Sequence, residues 1–248
     1  MNVYLSLTSI AGNISALQHT IRSIEQQTLK PNQCYLYLSE EPYLFDTGFA
    51  RKQIPKEINS DIFEIKWVEN TGPYRKLLPL LKDKIDEDCV IITIDDDTEY
   101  SPTMIEDYVD AYKKYDCVIA HRSFGMHITD IKKVDYMHRT KHLSNPHIYY
   151  FHTGKGGVLY HPKFFQQSTE HFFNQEIYQE CCPTGDDIWF NFHRITNGVK
   201  CYMPKELSFV KDYSTKNALW TNVNSKNNNN SIHMQKTVKK LLSLGYTL

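Results

Sequence analysis

At 248 residues the chain is long enough to bury a sizeable core, and its length suits one large α/β domain. Its 28 Lys and Arg against 29 Asp and Glu leave a formal charge of −1, which argues against a general nucleic-acid or membrane-charge binder, so any phosphate must be held locally. No apolar run approaches the roughly 18 residues of a membrane-spanning helix, and Met1 to Thr8 lacks the basic segment and apolar core of a signal peptide.

Asn2 to Thr8 reads as a first strand. A helix follows with Ile14, Leu17, Ile21 and Ile24 on one face, and it ends before Lys30-Pro31. Cys34 to Ser39 is a second strand, closing in Glu40-Glu41, and Ile62 to Val68 a third. After Asn70-Thr71-Gly72-Pro73 the pattern predicts a short helix, Tyr74 to Lys84, kinked by Pro79. This alternation of strand and helix predicts a mixed, mostly parallel sheet flanked by helices.

Cys89 to Asp97 is the most informative stretch, an apolar β-branched run that ends in Asp95-Asp96-Asp97. Three adjacent carboxylates repel one another unless a cation neutralises them, and all-oxygen ligation favours Mg2+ or Mn2+. In an extended segment Asp95 and Asp97 point one way and Asp96 the other, so the outer pair is the candidate metal site. A solvated acidic turn is the plainer alternative, but the carboxyl end of a buried strand is where open α/β sheets place ligands. A helix then starts with Ser101 as N-cap and Pro102 at the first helical position.

Residues 121 to 155 read as a long excursion rich in His, Tyr and Lys, followed by a short strand, Gly156 to Tyr160, and a helix from Pro162 to Phe173. Two of only 10 glycines fall together at Gly156-Gly157, which suits a pocket floor as well as an ordinary tight turn. In Thr184-Gly185-Asp186-Asp187 the Thr and Asp187 have the spacing of a capping box, yet adjacent aspartates at a helix start also suit an ionised base. The tail holds Asn227 to Asn230, a polar tract expected to be mobile, and a basic amphipathic helix through Val238, Leu241 and Leu242. The six cysteines (Cys34, Cys89, Cys117, Cys181, Cys182, Cys201) lack metal-ligand spacing and read as reduced packing residues of a cytosolic protein.

Taken in order, Ser6-Leu7-Thr8-Ser9, Gln27 to Pro31, Leu38-Ser39-Glu40, the Asp95-Asp96-Asp97 cluster and Thr184 to Trp189 resemble the GT-A glycosyltransferases of the bacterial group like family 2. The acidic strand end resembles their DXD motif, and Asp186-Asp187 their downstream acidic motif. The resemblance spans residues 2 to 210 and implies one GT-A domain over 1–248, with a nucleotide-binding half (1–120), an acceptor and catalytic half (121–210) and a C-terminal segment (211–248).

It implies that Asp95 and Asp97 hold Mn2+ or Mg2+ on a nucleotide diphosphate sugar, UDP-linked by preference, and that Asp96 meets ribose or sugar. Thr8 and Glu40 would touch base or ribose, Lys76 a phosphate or the base, and Gly156-Gly157 would floor the sugar pocket. Asp187, with Asp186 as runner-up, would be the general base of an inverting transfer. His233 is a candidate third metal ligand, and Tyr149-Tyr150-Phe151 and Trp189-Phe190 are candidate sugar stackers, although most aromatic residues are core. Lacking the Gln-x-x-Arg-Trp motif of processive members, the chain fits a single-addition enzyme of bacterial surface polysaccharide synthesis, cytoplasmic or peripheral to the inner face of the membrane. Its acceptor would be an oligosaccharide or lipid-linked glycan. The competing readings are a retaining transferase, a nucleotidyltransferase and a non-catalytic carbohydrate-binding protein with a structural cation. Ser9 to Asn13, with one glycine and no Lys or Arg, lacks the basic Gly-rich loop expected of a nucleotidyltransferase.

Overall fold

The computed structural model describes residues 1–50, 58, 60, 62–140, 144–204, 209–213 and 219–248. The apolar runs become β1 (Asn2–Thr8), β2 (Gln33–Leu38), β3 (Phe63–Trp67) and β4 (Cys89–Thr93), with α1 (Ile14–Glu25) and α2 (Leu78–Asp83) between them. All five residues of β4 are buried, as a strand covered on both faces must be. The chain steps outward from β1 to β2 to β3, then returns to lay β4 on the other side of β1, all four parallel. This reversal between β1 and β4 opens a crevice at their carboxyl ends, the place where doubly wound sheets take ligands.

The sheet continues through strands of alternating sense. β5 (Thr98–Tyr100) and α3 (Met104–Tyr115) lead to β6 (Val118–Met126), a two-residue β7 (Arg139–Thr140) and the long β8 (Tyr150–Tyr160). β8 lies antiparallel to both β4 and β6 and completes a sheet ordered β3-β2-β1-β4-β8-β6-β7. The helices α4 (Thr169–Phe172), α5 (Gln175–Cys181) and α6 (Asp186–Thr196) follow. β9 (Cys201–Tyr202) pairs with β6, β10 (Phe209–Asp212) pairs with β5, and α7 (Asn229–Ser243) closes the chain.

Several local expectations change. Much of the supposed excursion at 121–155 is strand, of which 141–143 lie outside the described residues. Pro79 does not kink one helix: it sits in the first turn of α2, where its missing N–H costs nothing, and the break falls at Leu77 behind a 3₁₀ turn over Gly72–Lys76. α3 begins at Met104, with Ser101 Oγ accepting from the Thr103 N–H one turn earlier. Residues 162–173 are two 3₁₀ turns and the single turn α4.

The Asn tract is the start of α7 and not a loose linker, with Asn228 in the left-handed region (φ 57°) and Asn230 buried. Residues 214–218 of the C-terminal segment lie outside the described residues. Trp189, Phe190, Tyr150 and Phe151 are all core, and the Trp189 indole N–H donates to the Phe172 carbonyl at 2.9 Å, so they are packing residues and not sugar platforms. All six cysteines are buried and free. Among the described residues no helix is long and apolar enough to cross a membrane.

Candidate active site

The crevice at the β1/β4 switch opens into a cleft of about 770 Å3. Thr8, Lys76, Asp95, Asp96, Asp97, Asp186 and Asp187 all line it, though they come from places up to 179 positions apart in the chain.

β4 ends at Thr93, and Asp95 to Asp97 fall where the chain turns toward β5. The turn replaces the expected alternation and sends the carboxylates to different partners. Asp96 accepts from Ser9 Oγ at 2.5 Å and from Asn13 Nδ2 at 3.2 Å, which ties it to the loop after β1. Its carboxyl is pushed up to about 6, because burial outweighs the hydrogen bonds from Ser9 and Asn13. Asp97 is pushed up to about 7 by burial and by repulsion from Asp95, Asp96 and Asp212, against which Lys155 acts only in part. Asp95 lies 3.6 Å from Lys76 Nζ, and its backbone N–H donates to the Tyr100 hydroxyl at 2.9 Å. Thr8 holds the neighbouring strand through a 2.8 Å bond from Oγ1 to the Tyr37 carbonyl.

Lys76 is 9% exposed, so it is no surface lysine. Its Nζ sits 3.0 Å from Asp186 and 3.6 Å from Asp95, joining the strand-end cluster to the start of α6. Burial alone would push the ammonium down, yet Asp186, Asp95 and Asp187 together hold it well above its ordinary value. Beside it Arg75 is also buried, paired with Asp46 at 3.0 Å and donating to Ser39 Oγ at 2.7 Å. The run Tyr74-Arg75-Lys76 thus supplies two internal cations from one 3₁₀ turn.

The capping box does not form. Thr184 Oγ1 donates to Asn224 Oδ1 at 2.6 Å, and Asn224 Nδ2 returns a 3.0 Å bond to the Thr184 carbonyl. Asp187 instead reaches across to β8, where Oδ2 accepts the Gly154 N–H at 3.0 Å, while Oδ1 is buried with no hydrogen-bond partner among the described residues. One turn on, Asn191 donates to the His152 carbonyl at 2.8 Å and accepts the His152 N–H at 3.1 Å, which fixes α6 against β8. The Asp187 carboxyl is pushed up to about 7 by burial and by the neighbouring Asp186, with Lys76 and the Gly154 N–H opposing.

Four expected site residues lie elsewhere. Gly156 and Gly157 do not line the cleft. They form a bulge in β8 at φ 83° and 97°, where an added Cβ on Gly156 would meet the His121 ring at 2.4 Å, and the Tyr108 hydroxyl donates to the Gly156 carbonyl at 2.7 Å. The glycine that matters at the cleft is Gly154, missed from the sequence because it stands alone: a Cβ there would lie 2.5 Å from Lys76 Nζ and 3.2 Å from Asp187 Oδ1. Glu40 is exposed and outside the cleft wall, where the buried acid is Asp46. His233 packs behind Gly185, off the cleft, and among the described residues no three His, Cys, Asp or Glu side chains converge to hold a metal unaided.

No protein-family model and no curated protein matches the chain. Solved structures do match, and they place the architecture with the GT-A fold. Staphylococcus aureus TarS 1-349 in complex with UDP aligns at a TM-score of 0.54 and 12% identity, covering 84% of this chain and 59% of that one. TarS 1-349 in complex with UDP-GlcNAc aligns at 0.53 and 11%, covering 87% and 60%. The Francisella tularensis 2-C-methyl-D-erythritol 4-phosphate cytidylyltransferase aligns at 0.48 and 12%, covering 87% and 94%. At such identities the likeness is one of fold, and the chain spans about 60% of the TarS fragment's length.

Proposed function

We propose that the chain transfers a sugar from a nucleotide diphosphate donor to a hydroxyl of a glycan acceptor, with inversion and with the help of a divalent metal. The observation that carries this reading is the cleft itself. Strand-end carboxylates and a helix-start carboxylate with one unpartnered oxygen face one crevice of a GT-A-like fold, spanned by a buried lysine. That TarS was crystallised with UDP and with UDP-GlcNAc supports a uridine diphosphate sugar as donor.

The residues fit a Mn2+ or Mg2+ ion held by Asp95 and Asp97. Two carboxylates are a normal protein share for such an ion when phosphates and water complete its shell, and the charge crowding that raises Asp97 is what a cation would relieve. When bound, the metal would offset negative charge on the departing diphosphate. The chain's own groups do the rest. Asp187 Oδ1 accepts the acceptor's proton while the Gly154 N–H fixes the other oxygen, and Asp186 stays paired with Lys76 as a brace. Lys76, charged throughout, keeps Asp95 and Asp186 at fixed separation. The acceptor class is an oligosaccharide, soluble or lipid-linked, as in bacterial surface polysaccharide synthesis.

Calorimetric titration of UDP with Mn2+ and again with EDTA tests the donor half, and a screen of UDP-sugars for metal-dependent donor turnover tests the chemistry. Micromolar UDP affinity that needs metal, with turnover of at least one donor, is expected. Metal-independent or absent UDP binding would leave the non-catalytic carbohydrate-binding reading in its place.

A further inference from the structure

Charge pairing divides the cations of the cleft into two groups. Arg75, Lys76 and Lys155 line it, but each is matched, by Asp46, by Asp186 with Asp95, and by Asp212. Arg122 and Arg139 line it as well, and among the described residues neither has a carboxylate within 4.0 Å. Both come from the β6/β7 side, across the cleft from the carboxyl ends of β1 and β4.

These two arginines are anchored. Arg122 donates through Nε to Thr153 Oγ1 at 2.9 Å, and Arg139 through Nε to the Tyr136 carbonyl at 3.1 Å. The Arg139 guanidinium also lies 4.3 Å from the centre of the Phe124 ring and 4.6 Å from that of Tyr136. Anchoring at Nε fixes a guanidinium plane at little further entropy cost, and such a fork suits the oxygens of phosphate or carboxylate better than a mobile ammonium does. Two buried polar atoms on the same wall, Ser123 Oγ and Asn230 Oδ1, have no partner among the described residues, although Ser123 is 9% and Asn230 8% exposed. Unmade hydrogen bonds at buried atoms are costly, so a ligand hydroxyl there would be welcome.

The wall also joins the proposed base. Thr153, which holds Arg122, is followed by Gly154, whose N–H holds Asp187, and the Tyr136 phenol feels Asp187, Arg139 and Arg122 together. From this geometry we infer that the acceptor is a hydroxylated molecule bearing an anionic group, phosphate or carboxylate. Arg122 and Arg139 grip the anion, and Ser123 and Asn230 take hydroxyls beside the one presented to Asp187. The inference rests on the transferase reading above. It assigns the acceptor's charge to residues separate from the Asp95–Asp97 cluster that faces the donor.

The test uses the full chain loaded with UDP and Mn2+, titrated by calorimetry with glucose 6-phosphate, glucuronate and glucose. The anionic sugars should bind saturably and glucose much more weakly, and whichever anion binds more tightly names the group. Arg122→Gln and Arg139→Gln should each weaken anion binding by about tenfold or more, the worth of a charge-assisted bidentate contact. UDP affinity should stay within about twofold, and Arg122→Lys should restore only part of the loss. Glucose binding as tightly as the anions, no saturable anion binding, or anion affinity unchanged in both Gln variants would overturn the inference. A parallel loss of UDP affinity would overturn it too, by returning the arginines to the donor. Failure of the wild type to bind UDP with metal is a separate result that sinks the transferase reading itself.

Discussion

Replacing Asp187 by asparagine separates a carboxylate's charge from its place. Asparagine keeps an oxygen for the Gly154 N–H, so the melting temperature should hold, whereas turnover should fall by roughly 100- to 10,000-fold if the proton goes to this residue. Asp186→Asn should behave in the opposite way. It leaves the buried Lys76 ammonium short of its nearest counter-charge, so thermal unfolding should move down by an amount equivalent to roughly 3 kcal/mol, the usual order for breaking one partner of a buried pair. Measuring both variants by differential scanning calorimetry and initial rates distinguishes base from brace, and equal kinetic losses at normal stability would contradict the assignment.

The same residue sets a pH dependence. Its carboxyl is raised from 3.8 to about 7, so the folded protein binds an extra proton between those values, and ionisation there subtracts stability as pH rises through that window. The base must be ionised to act, so kcat/KM should climb as pH passes through about 7 and level above it. A profile already flat at pH 5 would place the base elsewhere. Gly154→Ala probes the geometry directly: the glycine is not at positive φ, so the backbone tolerates alanine, but the new methyl lands 2.5 Å from Lys76 Nζ. Turnover should drop while the secondary structure seen by circular dichroism stays intact.

At the level of elements, β8 lends residues to the cleft wall where its bulge lets it change course. The pairing with β6 runs Ala120 to Val158 and then Arg122 to Thr153, so four residues of β8, 154 to 157, stand opposite His121 alone. Gly156 and Gly157 make this possible through positive φ, and Tyr108 donates to both of their carbonyls, at 2.7 and 3.1 Å. Gly156→Ala should therefore destabilise the fold by roughly 1 to 3 kcal/mol from backbone strain, with more from the His121 clash, while the folded fraction keeps wild-type UDP affinity. Urea unfolding with UDP titration checks both halves. A selective loss of donor affinity at unchanged stability would restore the pocket-floor role that the sequence suggests for this pair.

For the whole molecule, the proposed metal-dependent donor site implies that the acidic cleft gives up stability for binding. Asp97→Asn removes a carboxylate repelled by Asp95, Asp96 and Asp212, so the metal-free protein should melt higher than wild type while losing metal-dependent UDP affinity. Thermal scans with Mn2+ and with EDTA separate the two effects, and a variant that keeps full Mn2+-dependent affinity would remove Asp97 from the metal site.

The sequence determined the half of the molecule whose signals are local. The apolar runs of β1 and β2, the β-branched run of β4, the face formed by Leu17, Ile21 and Ile24, and the acid cluster after β4 can be read within windows of about ten residues, because period and composition are short-range properties. Tertiary structure alone decided which acids meet. Lys76 lies between Asp95 and Asp186, Asp187 is held by Gly154, and the buried acid near β2 is Asp46 instead of Glu40. Asp187 looks like a cap in sequence because Thr184 stands three residues before it, but Thr184 is drawn away by Asn224, 40 positions further on. Tyr150, Phe151, Trp189 and Phe190, which suggest sugar stacking, are drawn into the core for the same reason: burial and charge pairing are settled by contacts across the sheet, and those depend on a strand order that no local pattern encodes.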